Sequence, residues 1–327
     1  MANTLRFVRA DATPQSAERK SRRDDPRMAS RMVGLDSVTA PDRVQGIILG
    51  VADDRGVRLE GGRAGAADGP ARFRDYFGRL SAPQDLPAGA ILQAGDLMPA
   101  EHTAETHARL AEVIGVLRER FPRARLVVVG GGFDHAYGAV LGLARGLPGP
   151  DATVGVLQVD ARPQVRPFTG EPHSASATRR LLSEPAAHVT PSSLALWGLQ
   201  RAYCASAHWQ YLQQLGVAMW SQAQIPDGDQ AAGQQLIGVL QGLASSTGAM
   251  ALSLNLHAFS QGVAPGVSSP SPVGVPLPAV VAIAAHLSTL NVPTQLGIYE
   301  LNPRFDQDGA TARVAARVAW SYLTGLC

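Results

Sequence analysis

The residues that could do chemistry follow runs of apolar residues that are typical of buried β-strands. The stretch VGVLQVDARPQ (154–164) places Asp160 at the end of one such run. Three similar stretches are LVVVGGGFDH (126–135), LSLNLHAF (252–259) and LGIYELNP (296–303). Because ligands of open α/β sheets bind at the carboxyl ends of the strands, a carboxylate such as Asp160 is expected where chemistry takes place.

Predicted strands and helices alternate along the chain, which indicates a doubly wound, mostly parallel sheet with helices on both faces. One helix is predicted to begin near Pro70 and another to end near Arg145. The remaining predicted helices cover 103–120, 174–183, 204–215, 229–246, 279–290 and 308–323. The predicted strands cover 44–53, 125–130, 154–159, 194–199, 216–220, 250–257 and 294–301.

Composition excludes several classes of partner. The 327 residues carry 29 basic and 27 acidic side chains, a net charge of +2, so no nucleic-acid partner is expected. No apolar run reaches the roughly 18–20 residues that a membrane-spanning helix needs, so no membrane partner is expected. Only two cysteines are present, Cys204 and Cys327, which favours a reducing, cytoplasmic location.

The chain divides into a short polar segment and one larger unit. Residues 1–43 are rich in charged side chains of both signs and are predicted to form a flexible tail. Residues 44–327 show no internal repeat and no change of composition, so they are predicted to form a single α/β domain.

Taken together, the four strand-end stretches resemble the ureohydrolase superfamily, which includes arginase, agmatinase and, most similar here, formimidoylglutamase. That superfamily carries GGGHE, DAHxDxRP, DxDxxxxxxxPGVS and ELNPRFDxDxRTAR. This chain has GGGFD (130–134), DARPQVRP (160–167), NLHAFSQGVAPGVS (255–268) and ELNPRFDQDGATAR (300–313) in the same order. The resemblance spans residues 44–325 and implies a three-layer αβα domain of the arginase type, which commonly forms homo-oligomers.

The resemblance also implies a pair of manganese ions held by two histidines and four aspartates, and this chain departs from that set. Only Asp160 is unchanged, and His257 is the only other residue with real affinity for a divalent metal. Phenylalanine offers no ligand atom, and arginine brings a permanent positive charge. The six positions are Phe133, Asp160, Arg162, Gln164, Asn255 and His257.

With these substitutions no cofactor is expected. We predict that the Arg162 guanidinium pairs with Asp160 in place of the metal charge, and that Phe133 faces inward and fills the remaining volume. The alternative is one manganese or zinc ion held by Asp160, His257 and His135. His102 and His107 are expected to face solvent.

The resemblance further implies that a ligand pocket persists. Glu300 matches a glutamate that binds the substrate's guanidinium or formimino group in that superfamily. The candidate ligand-binding residues are Arg166, His173, Ser174, Arg179 and Glu300, and the implied partner is a small amino-acid-like molecule.

Two functions follow from these observations. The first is a catalytically inactive homologue that lacks the binuclear manganese site and keeps a small-ligand pocket or a scaffolding role. The second is an active hydrolase of a non-peptide C–N bond with a non-standard metal site. In the formimidoylglutamase case it would convert formimidoyl-glutamate to glutamate and formamide, a step of histidine catabolism.

Overall fold

The computed structural model describes residues 4–9, 24–147 and 149–327. Their strands form one sheet in the order β1-β4-β3-β5-β10-β9-β6-β7-β8, with β2 also paired to β4. All pairs are parallel except β1 with β4. The strands are β1 (Val8–Arg9), β2 (Met32–Gly34), β3 (Gly46–Val51), β4 (Ile91–Leu97), β5 (Arg125–Val129), β6 (Val154–Val159), β7 (Leu194–Leu199), β8 (Ala218–Ser221), β9 (Ala249–Asn255) and β10 (Thr294–Tyr299).

Helices cover both faces of this sheet, so the predicted three-layer αβα architecture is confirmed. Alternating strand residues divide between the faces: Ile48 packs in one apolar cluster, while Ile47 and Leu49 pack in another. The helices are α1 (Arg55–Leu59), α2 (Gly69–Phe77), α3 (Thr103–Arg120), α4 (His135–Ala144), α5 (Ala177–Ser183), α6 (Ser206–Leu215), α7 (Asp229–Ala244), α8 (Leu277–Leu287) and α9 (Ala310–Thr324).

The four strands whose ends carry the candidate residues are neighbours in the sheet, in the order β5-β10-β9-β6. Register places Ile298 beside Val129, Tyr299 beside Asn255 and Leu254 beside Val159. Because the strands are parallel, the residues that follow them emerge at the same edge of the sheet. This register, rather than closeness in the sequence, brings the candidate residues together.

The described part of the predicted tail belongs to the sheet and its core. β1 and β2 pair with β4, and Met28 is completely buried among core side chains. The boundary at residue 44 therefore differs from the structure, because residues before it complete the outer edge of the sheet. Residues 1–3 and 10–23 of that tail lie outside the described residues. Among the residues that are described, no helix is long and apolar enough to cross a membrane.

Replacement of Met28 by alanine tests whether this segment stabilises the domain. Because the Met28 side chain is buried, we expect Met28→Ala to lower the free energy of unfolding by about 2–5 kcal/mol, measured by urea denaturation. The matched control is Leu326→Ala, at a side chain that is 49% exposed. Equal stability of Met28→Ala and the parent would show that the segment does not pack as described.

Candidate functional site

The Asp160 carboxylate lies completely buried at the end of β6, enclosed by N–H groups. Its Oδ2 accepts hydrogen bonds from Gln164 Nε2 and Asn255 Nδ2, each at 2.9 Å, and a longer one from Gln158 Nε2 at 3.4 Å. Its Oδ1 accepts from the backbone N–H of Arg162 at 2.9 Å. Two of these donors, Gln164 and Asn255, occupy positions where the resemblance implies aspartate ligands. We call the four donors the amide cradle of Asp160.

The electrostatics of Asp160 follow from this enclosure. Burial raises the pKa of Asp160 above its ordinary value, and the hydrogen bonds from Gln164, Arg162 and Asn255 oppose that rise. Asn255 also uses its second polar atom, since its Oδ1 accepts from the His257 backbone N–H at 3.0 Å. The cradle is therefore tied to the short 3₁₀ turn that follows β9.

The predicted ion pair between Arg162 and Asp160 is not formed. The Arg162 guanidinium extends away from the carboxylate, donates from Nη2 to Ser269 Oγ at 2.7 Å and lies over the Tyr203 ring at 5.1 Å. Neutral amides reach the buried carboxylate without bringing a second charge out of water, so the amide cradle takes the place that we predicted for the guanidinium.

Phe133 is buried, as predicted, but its contacts are with the apolar core. Its ring packs edge-to-face against Tyr299 with the ring centroids 5.3 Å apart. Its backbone N–H donates to Glu300 Oε1 at 3.0 Å. Phe133 therefore positions Glu300 through its main chain.

A cavity of about 350 Å³ opens beside these residues. Glu300 and His257 line it. Each has one buried polar atom that makes no hydrogen bond to the described residues, and these two atoms, Glu300 Oε2 and His257 Nε2, lie 3.4 Å apart. Gln164 and Glu300 adopt left-handed backbone conformations, with φ of 52° and 71°. Residues other than glycine rarely adopt such backbone angles, and the exceptions are concentrated at functional sites.

The predicted ligand-binding residues divide into those that line the cavity and those that do not. Arg166, Ser174 and Glu300 line it. Arg166 Nη1 pairs with Glu60 Oε1 at 2.6 Å, and His173 Nδ1 lies 2.9 Å from Glu60 Oε2. Arg179 is not among the lining residues, because it donates to the Val165 carbonyl at 2.7 Å and stacks on Tyr211.

Arg63, Tyr203 and Ser269 are among the lining residues that sequence reasoning did not identify. Arg63 donates to the Ser268 carbonyl at 2.9 Å and covers the Phe305 ring at 3.8 Å. A signal for Arg63 was present, since it lies in the glycine-rich segment GGRAGAADGP (61–70). Ser269 directly follows the APGVS sequence that supports the resemblance.

The alternative metal set of Asp160, His257 and His135 is not brought together. Among the described residues, one group has His, Cys, Asp or Glu ligand atoms close enough for a metal ion, and it consists of His107, Asp134 and His135. In this buried group His107 Nε2 lies 2.9 Å from Asp134 Oδ2, and His135 Nε2 lies 3.0 Å from the Asp53 carbonyl oxygen. The expectation that His107 faces solvent is wrong, because His107 is completely buried.

The Arg180 guanidinium prevents His107 from acting as a metal ligand. Arg180 Nη1 lies 2.7 Å from His107 Nδ1, and arginine can only donate. Nδ1 is therefore the acceptor, and the imidazole proton is on Nε2, where it is donated to Asp134. Burial lowers the pKa of His107, although Asp134 opposes this effect. This cluster is a structural hydrogen-bond chain around a neutral histidine.

Comparison with known proteins identifies the family. The model of the arginase family matches residues 45–325, so the chain belongs to the arginase family. Formimidoylglutamase from Geobacillus thermodenitrificans is 30% identical over 288 residues, which cover 88% of this chain and 86% of that protein. Formimidoylglutamase from Klebsiella pneumoniae is 30% identical over 287 residues and 86% of each chain.

Solved structures agree with this assignment. Trypanosoma cruzi formiminoglutamase with Mn²⁺ superposes with a TM-score of 0.78 at 25% identity, covering 92% of this chain and 98% of the other. Bacillus subtilis formimidoylglutamase gives a TM-score of 0.84 at 20% identity, with coverage of 99% and 97%, and supports the fold.

The expectation that no cofactor is involved is wrong for this family. The T. cruzi relative is a manganese-containing structure, and manganese is therefore the metal to consider for this fold. The residues of this chain at the strand ends do not fit a pair of such ions, because the oxygens of Asp160 accept hydrogen bonds and Phe133 offers no donor atom. We therefore derive no reaction step through a metal at this place.

The neutral state of His107 predicts a pH dependence of stability. Because folding lowers the His107 pKa, the unfolded chain binds an extra proton at mildly acidic pH, and stability should fall as the pH drops below about 6.5. We expect His107→Gln, which can still accept from Arg180 and donate to Asp134, to weaken this dependence. Urea unfolding between pH 5 and pH 8 measures it.

The matched control for this experiment is His102→Gln. His102 is exposed, and the hydrogen bond that it donates to the Glu171 carboxylate raises its pKa, so its removal should not weaken the loss of stability in acid. An unchanged pH dependence in His107→Gln would show that another group causes the loss.

Proposed function

We propose that this chain is a formimidoylglutamase-like member of the arginase family that binds a small amino-acid-like ligand and no longer hydrolyses it. The amide cradle of Asp160 is the observation that carries the proposal. Catalysis by a metal pair needs ligand atoms that hold the ions and activate a water molecule. Here Gln164 and Asn255 turn N–H groups toward the one remaining carboxylate, an arrangement that offers hydrogen bonds where metal–oxygen bonds would be required.

The cavity supports the binding part of the proposal. Glu300 is buried in a strained backbone conformation, and one of its oxygens has no hydrogen-bond partner in the part of the chain that the structure describes. Unpartnered buried carboxylate oxygens are costly, and a ligand that donates a hydrogen bond would satisfy this one. The strain and the unpartnered oxygen are together more typical of a binding site than of a purely structural position.

The second candidate is an active hydrolase of the formimidoylglutamase type. It is favoured by the similarity of 30% identity over most of the chain to enzymes with that name. Similarity of this kind reflects the whole fold, whereas the proposed loss of hydrolysis concerns five substitutions at one edge of the sheet. The two candidates therefore differ in activity and not in architecture.

The direct test is turnover of formimidoyl-glutamate by the purified protein with added Mn²⁺, with the G. thermodenitrificans enzyme as positive control. We expect no formation of glutamate and formamide above the rate without protein, because no residue set at the strand ends generates the nucleophile. Metal content is measured on the same samples. Turnover that a chelator removes, together with two manganese ions per chain, would overturn the proposal.

Restoring the implied ligand set tests the same interpretation in the opposite direction. A variant that carries all five substitutions, here called the fivefold variant, should bind more Mn²⁺ per chain than the parent, because six metal-ligating side chains would again meet at the strand ends. Elemental analysis after dialysis measures the bound Mn²⁺. Addition of Asp160→Asn to that variant is the control and should reduce the gain. The five substitutions are Phe133→His, Arg162→His, Gln164→Asp, Asn255→Asp and His257→Asp.

A folded fivefold variant with no more manganese than the parent would contradict this interpretation. Its thermal unfolding is recorded to confirm that it is folded. In that case the substitutions at these positions would not be what separates this chain from its manganese-containing relatives.

A further inference from the structure

Arg162 brings a positive charge to the cavity that no carboxylate of the described residues neutralises through an ion pair. Its Nη2 donates to Ser269 Oγ at 2.7 Å, and its Nη1 lies 3.5 Å from His257 Nδ1. A guanidinium has five N–H groups in a fixed plane, so this side chain retains unused donors beside the open volume. Arg162 occupies a position where the resemblance implies a metal ligand.

The other charges around the cavity do not compensate for Arg162. Arg166 is neutralised by Glu60 at 2.6 Å. Arg63 donates to the carbonyl oxygens of Val267 and Ser268, and no acidic side chain of the described residues pairs with it. Glu300 is the remaining carboxylate that lines the cavity, and its Oε2 lies 3.4 Å from His257 Nε2.

We propose that the cavity binds a small carboxylate, with the guanidinium of Arg162 holding the carboxylate group and Glu300 receiving an amino group of the same molecule. This inference rests on the proposed function, since it describes the ligand of the same cavity. A guanidinium fork matches two carboxylate oxygens in geometry and charge. The unpartnered Oε2 of Glu300 supplies the complementary acceptor.

The charge balance favours a carboxylate over a phosphate. Glu60 is paired with Arg166, whereas Glu300 has no arginine partner among the described residues and would repel a doubly charged anion more strongly than a singly charged one. A zwitterionic amino acid places one negative charge at Arg162 and one positive charge at Glu300, so each charge finds an opposite one. Inorganic phosphate therefore serves as a competing probe in the test.

Arg162 is also held in place before any ligand arrives. Its guanidinium lies over the Tyr203 ring and is anchored by Ser269, while its backbone N–H is fixed by Asp160. Side chains that are already ordered lose less conformational freedom on binding. Arg162 thus joins the two sites: its backbone N–H belongs to the amide cradle, and its guanidinium forms the proposed carboxylate site.

The test is calorimetric titration of the full chain with L-glutamate, L-alanine, glutarate, 1,4-diaminobutane and inorganic phosphate. We expect at least one of the three carboxylates to bind the parent, and Arg162→Gln to weaken that binding by about tenfold or more. Arg162→Lys keeps the charge without the fork and should give an intermediate loss. Arg313→Gln, at an exposed arginine outside the cavity lining, is the matched control and should leave binding unchanged.

Several outcomes would overturn the carboxylate assignment. These are carboxylate binding that Arg162→Gln leaves unaltered in a folded protein, tighter binding of phosphate or 1,4-diaminobutane than of every carboxylate, or no carboxylate binding by the parent. Hydrolysis of formimidoyl-glutamate by the parent would instead overturn the proposed function. If Arg162→Gln still weakened glutarate binding in that case, the carboxylate assignment would stand alone, so the two failures are distinguishable.

Discussion

The enclosure of one buried carboxylate governs the arrangement of the whole strand edge. Asp160 is completely buried, and a carboxylate in that position must find compensating charge or hydrogen bonds. Donors from three segments meet it, namely Gln158 on β6, Gln164 in the following loop and Asn255 at the end of β9. Because these donors are fixed by Asp160, the loop after β6 and the turn after β9 are fixed with it.

The same constraint determines where Arg162 points. Its backbone N–H is committed to Asp160, and the amides occupy the remaining space around the carboxylate, so the guanidinium extends toward Ser269 and the open cavity. The Arg162 charge, which would repel a metal ion at the strand ends, is thereby directed toward the cavity, where a ligand can bind it. The substitution of one position thus changes the chemistry of the adjoining cavity.

Much of the fold could be predicted from the sequence because periodic apolar runs determine buried strands and helices. The predicted helix 103–120 coincides with α3, and the predicted strand 194–199 coincides with β7. β4, with Gln93 and Asp96 among its seven residues, was not predicted, and neither were the short β1 and β2 at its outer edge. Their pairing is a tertiary property that the local pattern of each segment does not carry.

The site shows where sequence reasoning reaches its limit. The residue types at six strand-end positions could be read directly, but the partner of each side chain could not. Arginine beside aspartate suggested an ion pair, whereas the structure pairs the aspartate with amides and directs the arginine elsewhere. His107 is 26 residues from Phe133, the nearest of these positions, and it joins Asp134 and Arg180 only because α3, α4 and α5 pack together. At His107 the Arg180 guanidinium faces Nδ1 and the Asp134 carboxylate faces Nε2, so the tautomer of this histidine is set by neighbours that only the fold supplies.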